Sequence, residues 1–217
     1  MKAFHYLIAL LGVLAVSSGA AQDLELGEQI AQQGTTSGAA PCVSCHGEQG
    51  AGMEAGNFPR LAGLNGQYLA KQLRDYQNGT RNDPVMVGVA SALNDEEIEA
   101  VAAYYAAQEA FLPPAQVDAE QAERGRILAQ EGNWSSYTPP CASCHGPEGI
   151  GVGEAFPAIA GQPVGYTIEQ FAAWRSGERQ NDPQGMMEAV AKRLTDEEIA
   201  AVAAYYVNLG RSENGGE

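Results

Sequence analysis

Two copies of one pentapeptide carry the chemistry of this chain. Cys42-Val43-Ser44-Cys45-His46 recurs as Cys141-Ala142-Ser143-Cys144-His145. Two thiols three positions apart, with an imidazole directly after them, form the attachment signature of a c-type haem. The thiols add across the two vinyl groups of one haem as thioethers, and the histidine is placed to coordinate the iron from one face. Two such sites imply two covalently attached haems c and therefore one-electron chemistry. A structural zinc site also uses paired Cys-x-x-Cys elements, but they are usually nearer in sequence and carry no stray histidine. A thioredoxin-like dithiol needs neither the histidine nor a second copy. All four cysteines belong to the motifs, so none is left for a disulfide.

His46 and His145 each supply one axial ligand. The only other histidine, His5, falls in the expected leader, so bis-histidine ligation within the mature chain is excluded. Methionine is the natural second ligand and raises the reduction potential of haem iron. Met53 follows His46 too closely to reach the opposite face of the same ring. Met86 follows Asn82-Asp83-Pro84 in an expected loop with slack to wrap round it. The second half offers Met186 and Met187. Counted back from the shared Leu-x-Asp-Glu-Glu, Met86 lies seven before Leu93 and Met187 seven before Leu194. That register selects Met187 and places two extra residues upstream of it. Gap-filling in the core is the competing role for such methionines.

The elements that must position these groups are themselves repeated. Phe58-Pro59-Arg60-Leu61-Ala62-Gly63 answers to Phe156-Pro157-Ala158-Ile159-Ala160-Gly161. Tyr68 answers to Tyr166, Gly79-Thr80-Arg81 to Gly177-Glu178-Arg179, and Asn82-Asp83-Pro84 to Asn181-Asp182-Pro183. Ala-Val-Ala-Ala-Tyr-Tyr closes both halves, at Tyr105 and at Tyr206. Apolar spacing predicts helices over Leu24–Gln33, Gln67–Gln77 and from Asn94 onward, and again over Asp118–Gln130, Gly165–Trp174 and Thr195–Asn208. Asn94 and Thr195, each followed three later by Glu, read as capped helix starts. No strand alternation is convincing. The fold class is therefore all-α, in two tandem domains each wrapped round one haem. The prolines of Leu112-Pro113-Pro114-Ala115 end the preceding helix. They divide the chain into 22–111 and 112–217, with 112–117 as linker.

Lys2, an apolar run from about Tyr6 to Val16 and Ser17-Ser18-Gly19-Ala20-Ala21 read as a signal peptide over 1–21, cut after Ala20 or Ala21. The run is short for a membrane span. The expectation is an exported, periplasmic protein with no stable membrane insertion after cleavage. Net charge is −15. Residues 22–111 hold twelve acids and four bases and residues 112–217 fifteen acids and seven bases, −8 in each, with Lys2 adding the remaining +1. Nucleic acid is a poor partner for such a chain, and a redox protein with a basic docking patch is a better one.

With these motifs the chain resembles the dihaem cytochromes c of the cytochrome c4 family, two class I cytochrome c domains in tandem. The resemblance rests on the two Cys-x-x-Cys-His motifs, the two Phe-Pro-x-x-Ala-Gly segments and the two Asn-Asp-Pro-to-Met stretches. It implies periplasmic electron transfer between a membrane quinol-oxidising complex and a terminal oxidase or reductase. It also implies that the carbonyls of Pro59 and Pro157 accept hydrogen bonds from His46 and His145. The expectation is an electron carrier and not an enzyme. The alternative is a dihaem cytochrome subunit of a dehydrogenase, such as a flavin-linked sulfide dehydrogenase.

Overall fold

The computed structural model describes residues 17–109, 112–182 and 184–209. Among the described residues there are ten α-helices and no β-strand, and extended pairing is confined to four isolated bridges. The first half contributes α1 (Ser17–Gln33), α2 (Val43–His46), α3 (Gly66–Asn78), α4 (Pro84–Ser91) and α5 (Asp95–Ala106). The second contributes α6 (Ala119–Glu131), α7 (Ala142–His145), α8 (Val164–Ser176), α9 (Met186–Arg193) and α10 (Asp196–Tyr206). Each helix of the second half answers one of the first, in order. Most of the expected leader lies outside the described residues. The backbone is already helical at Ser17, so α1 begins earlier than Leu24 and runs through the expected cleavage point.

Packing repeats as the sequence does. Helix α1 lies on α5, and α3 on α4 and α5; α6 lies on α10, and α8 on α9 and α10. The two long crossings are close because each has a glycine at the contact. A Cβ on Gly27 would stand 2.2 Å from the Ala100 carbonyl oxygen, and one on Gly125 would stand 1.9 Å from that of Ala201. Ile30, Leu69, Leu93, Ile98, Val101 and Tyr105 form the first core. Leu128, Phe171, Leu194, Ile199, Val202 and Tyr206 form the second.

Both closing helices start as their sequences predict. The Asn94 side chain accepts from the Glu97 amide, and the Glu97 carboxylate accepts from the Asn94 amide. Thr195 and Glu198 repeat the exchange. Reciprocal caps of this kind satisfy amides that the helix cannot, for about 1 kcal/mol each. The segment after Asp83 departs from expectation. It is not a loop but the helix α4. Asp83 Oδ1 accepts from the amides of Val85 at 3.0 Å and Met86 at 2.9 Å, and Pro84 occupies the first turn. A proline there gives up only an amide that has no intrahelical partner. The linker is held down as well: the Asn208 side chain exchanges two hydrogen bonds of 2.9 Å with the backbone of Ala115.

Candidate haem centres

Helix α2 is a single turn, closed by the His46 amide donating to the Cys42 carbonyl at 2.9 Å. One turn brings residues three apart to the same face, so Cys42 and Cys45 present their sulfurs together. His46 is 7% exposed, and its Nδ1 lies 3.0 Å from the Pro59 carbonyl oxygen. A carbonyl can only accept, so Nδ1 carries the proton and Nε2 presents its lone pair. His145 repeats this with the Pro157 carbonyl at 2.8 Å. Both bonds are those that the family resemblance implies. Burial pushes both imidazoles below the usual histidine pKa, against a smaller opposing effect of the carbonyl bond. Each ring is therefore neutral and oriented, as a metal ligand requires. Phe58 and Phe156 pack edge-on against the two rings, with centroids 6.3 and 6.5 Å away.

The thiols do not resemble a redox dithiol. Burial pushes Cys141 up to about 11 and raises Cys42 as well. Reactive dithiols show the opposite shift. Among the described residues no group of three or more His, Cys, Asp or Glu converges as a metal cluster would, so the four-ligand zinc reading lacks its ligands.

A cavity of about 490 Å³ opens beside the first motif. Cys42, Cys45 and His46 line it together with Leu69, Leu73, Val89, Tyr105 and Met86. Its apolar lining and size suit a flat hydrophobic cofactor. Met53 is not part of the wall. In the second half Met187 and Cys141 both pack on the same core, while Met186 is 43% exposed. The backbone supports the same register. The Asp83 carboxylate accepts from the Met86 amide, and the Asp182 carboxylate accepts from the Met187 amide. Residues added before Met187 are thus taken up without moving that methionine out of register with the aspartate.

The sequence reading missed the groups that join the two sites. Arg81 and Arg179 face each other in an isolated antiparallel bridge, each 6% exposed. Asn82 donates its amide to the Glu178 carbonyl, and Gln180 donates its amide to the Thr80 carbonyl, both at 2.7 Å. Arg81 donates to Gln72 at 3.0 Å in its own half, and to Tyr166 at 3.0 Å and Gln170 at 2.6 Å across the interface. Arg179 donates to Gln170 at 3.0 Å, and across to Tyr68 at 3.2 Å and Gln72 at 3.3 Å. Arg81 stacks on Tyr76 at 4.8 Å, and Arg179 on Trp174 at 4.1 Å. All the side-chain acceptors named are neutral. Among the described residues neither guanidinium makes an ion pair with a carboxylate. Two buried cations held only by neutral oxygens call for an anion. Both arginines line the first cavity, and haem carries two carboxylates. Trp174 Nε1, packed on the second core, is a buried donor with no hydrogen-bond partner among the described residues. The residues present therefore fit haem. Burial alone would raise the Tyr166 pKa, but the two guanidiniums outweigh it and hold it below the usual tyrosine range. The one signal that could have found this interface was a cation repeated in register, at Arg81 and Arg179, within two strongly acidic halves.

Fold and sites together define a protein with two covalent haem c domains joined through a polar interface. The cytochrome c family model matches residues 27–107 and again 129–210. The chain is 44% identical to the thiosulfate dehydrogenase electron acceptor of Stutzerimonas stutzeri, over 99% of this chain and 100% of that protein. The crystal structure of reduced recombinant cytochrome c4 from Pseudomonas stutzeri superposes with a TM-score of 0.74 at 31% identity, over 85% of this chain and 96% of that one. The thiosulfate dehydrogenase TsdBA of Marichromatium purpuratum, in its as-isolated form, gives a TM-score of 0.79 at 42% identity. That match covers 85% of this chain but only 40% of the longer one. The chain belongs to the cytochrome c family, as a dihaem member of the cytochrome c4 type.

Proposed function

We propose that this protein is a periplasmic electron carrier that accepts electrons from a thiosulfate-oxidising dehydrogenase and passes them one at a time towards a terminal oxidase or reductase. The observation that carries the donor is end-to-end similarity to a protein named as the electron acceptor of thiosulfate dehydrogenase. This replaces the quinol-oxidising complex expected from family resemblance as the first donor to test. When bound, each haem supplies a one-electron couple. Cys42 and Cys45 would anchor one haem, and Cys141 and Cys144 the other. His46 with Met86, and His145 with Met187, would be the ligand pairs that hold the two irons. The Pro59 and Pro157 carbonyls fix the imidazoles, and the Asp83 and Asp182 carboxylates fix the amides of the two methionines. With two protein ligands on each iron, neither site would keep a position for a small substrate. The two units are taken as 22–111 and 112–217, reached by export through a leader over 1–21. No helix among the described residues is long and apolar enough to cross a membrane.

The test is thiosulfate-dependent reduction. Purified holoprotein mixed with catalytic amounts of the dehydrogenase and excess thiosulfate should become fully ferrous. Reduction by ascorbate but not by enzyme plus thiosulfate would overturn the donor assignment. The second reading, a cytochrome subunit held permanently by the dehydrogenase, is favoured by the match to part of a longer thiosulfate dehydrogenase chain. Co-elution of the two proteins through gel filtration at high salt would select it.

A further inference from the structure

The two domains differ in the segment that leads from the first helix to the haem motif. Between the first helix of each domain and its haem motif, the N-terminal half runs Gly34-Thr35-Thr36-Ser37-Gly38, small and polar. The C-terminal half runs Gly132-Asn133-Trp134-Ser135-Ser136-Tyr137-Thr138. Trp134 is 67% exposed and Tyr137 is 78% exposed. Exposure of two large aromatic rings is unusual on a free surface.

This turn is rigidly built. Asn133 and Thr138 exchange backbone hydrogen bonds of 2.8 and 2.9 Å. Asn133 Oδ1 accepts from the Ser135 amide at 3.2 Å and its hydroxyl at 2.6 Å. Asn133 Nδ2 donates to Glu198 at 2.7 Å, tying the turn to the start of α10. Tyr137 is held at φ 56, a left-handed conformation that costs energy for a residue with a Cβ. Backbone strain and several side-chain bonds thus hold two rings where they bury little.

Beside the turn lies an open groove of about 300 Å³. Ile127 and Leu128 supply apolar wall, Glu197 and Glu198 supply carboxylates, and Arg124 is the lone cation. Arg124 is already paired with Glu120 at 2.9 Å. The groove therefore suits a cationic side chain with an aliphatic stem, such as lysine or arginine. Asn133 of its wall leads directly into Trp134, so the exposed rings adjoin the groove along the chain. The first-domain counterpart of Ile127 is the polar Gln29. The position also matters for electron exchange. Thr138 precedes Cys141 by three residues, so the turn ends within about 11 Å of a haem anchor along the backbone.

We infer that the Trp134–Tyr137 turn and the adjoining acidic groove are the docking surface for the electron-donating enzyme, which meets it with an apolar centre rimmed by lysine or arginine. This rests on the functional reading above and assigns the donor to the C-terminal domain. Tryptophan and tyrosine are the residues most enriched among interface hot spots. Acid facing base steers encounter and makes it sensitive to salt.

The experiment uses the holoprotein, the purified dehydrogenase and thiosulfate. The double variant Trp134→Ala, Tyr137→Ala should raise the KM for the cytochrome about 30-fold, the equivalent of a hot-spot loss of about 2 kcal/mol. Its reduction by ascorbate and its visible spectrum should match wild type. Glu197→Gln, which leaves the α10 capping box intact, should raise KM several-fold and weaken the salt dependence; it serves as the independent variant if the double one misfolds. Thr36→Ala with Ser37→Ala, in the matching first-domain turn, should change nothing. Wild-type KM in both C-terminal variants would overturn the docking assignment alone. So would a rise in KM confined to the first-domain variant. A wild type that forms a dimer in sedimentation, lost in the aromatic variant, would mean that the face binds a second copy. A wild type that the dehydrogenase cannot reduce would overturn the functional reading and this inference with it.

Discussion

Replacing Arg81 by methionine keeps most of the side chain's bulk and removes its charge. The guanidinium is buried on the wall of a cavity of about 490 Å³. It therefore acts on whatever the cavity holds from about 5 to 10 Å, through a medium of effective dielectric constant near 20. One unit charge over about 10 Å is then worth about 1.7 kcal/mol, and over about 5 Å about twice that. For a one-electron couple these correspond to roughly 70 and 140 mV. Removing a cation favours the more positive oxidised state, so the potential of the first haem should fall by that order. The second haem should fall less, because the charge removed is that of Arg81, which lines the cavity of the first half. Loss of hydrogen bonding is a smaller effect, since Gln72 and Gln170 each keep a bond from Arg179. Arg81→Lys separates the two: it keeps the charge, so the potential should stay within about 20 mV of wild type. The assay is a spectroelectrochemical titration of the three proteins. A potential that is unchanged or higher in Arg81→Met would refute the placement of this cation beside a haem.

Two further outcomes follow from the geometry. Met86→Ala and Met187→Ala should each lower the potential of one haem and abolish its weak near-infrared sulfur-to-iron band, while Met186→Ala should leave the spectrum untouched. Gly27→Ala or Gly125→Ala should each lower Tm, with a loss of about 1–3 kcal/mol, because the new methyl meets a backbone carbonyl and not a movable side chain.

Much of the haem chemistry was legible because it is local. The thiols and histidine of each motif lie within one helical turn, and both closing helices announce themselves through Asn94–Glu97 and Thr195–Glu198. Helix α4 was not legible because Val85-Met86-Val87-Gly88-Val89 is rich in β-branched residues and glycine, which disfavour helix. Its start depends instead on Asp83 and Pro84, which read equally well as a turn. The choice of Met187 over Met186 came from counting residues, and the structure adds a physical reason in the Asp182 bond to the Met187 amide. The interface was hidden for a different cause. Arg81 and Arg179 meet only once both halves have folded, and a duplicated sequence shows that two parts match without showing that they touch. The reciprocal bonds between Gln162 and the Arg60 backbone, at 3.0 and 2.9 Å, were invisible for the same reason. Of these two, only Arg60 stands in the repeated Phe-Pro segment, where Ala158 replaces it in the second copy.

The central claim is that each half is a closed, independent one-electron site and that the pair acts as a carrier. The most direct measurement is a coulometric reduction of the purified holoprotein at neutral pH, followed by its visible and electron paramagnetic resonance spectra. The account predicts two electrons per chain in two one-electron steps, with both ferric haems low-spin throughout. One electron per chain, or a high-spin ferric haem in either half, would contradict it.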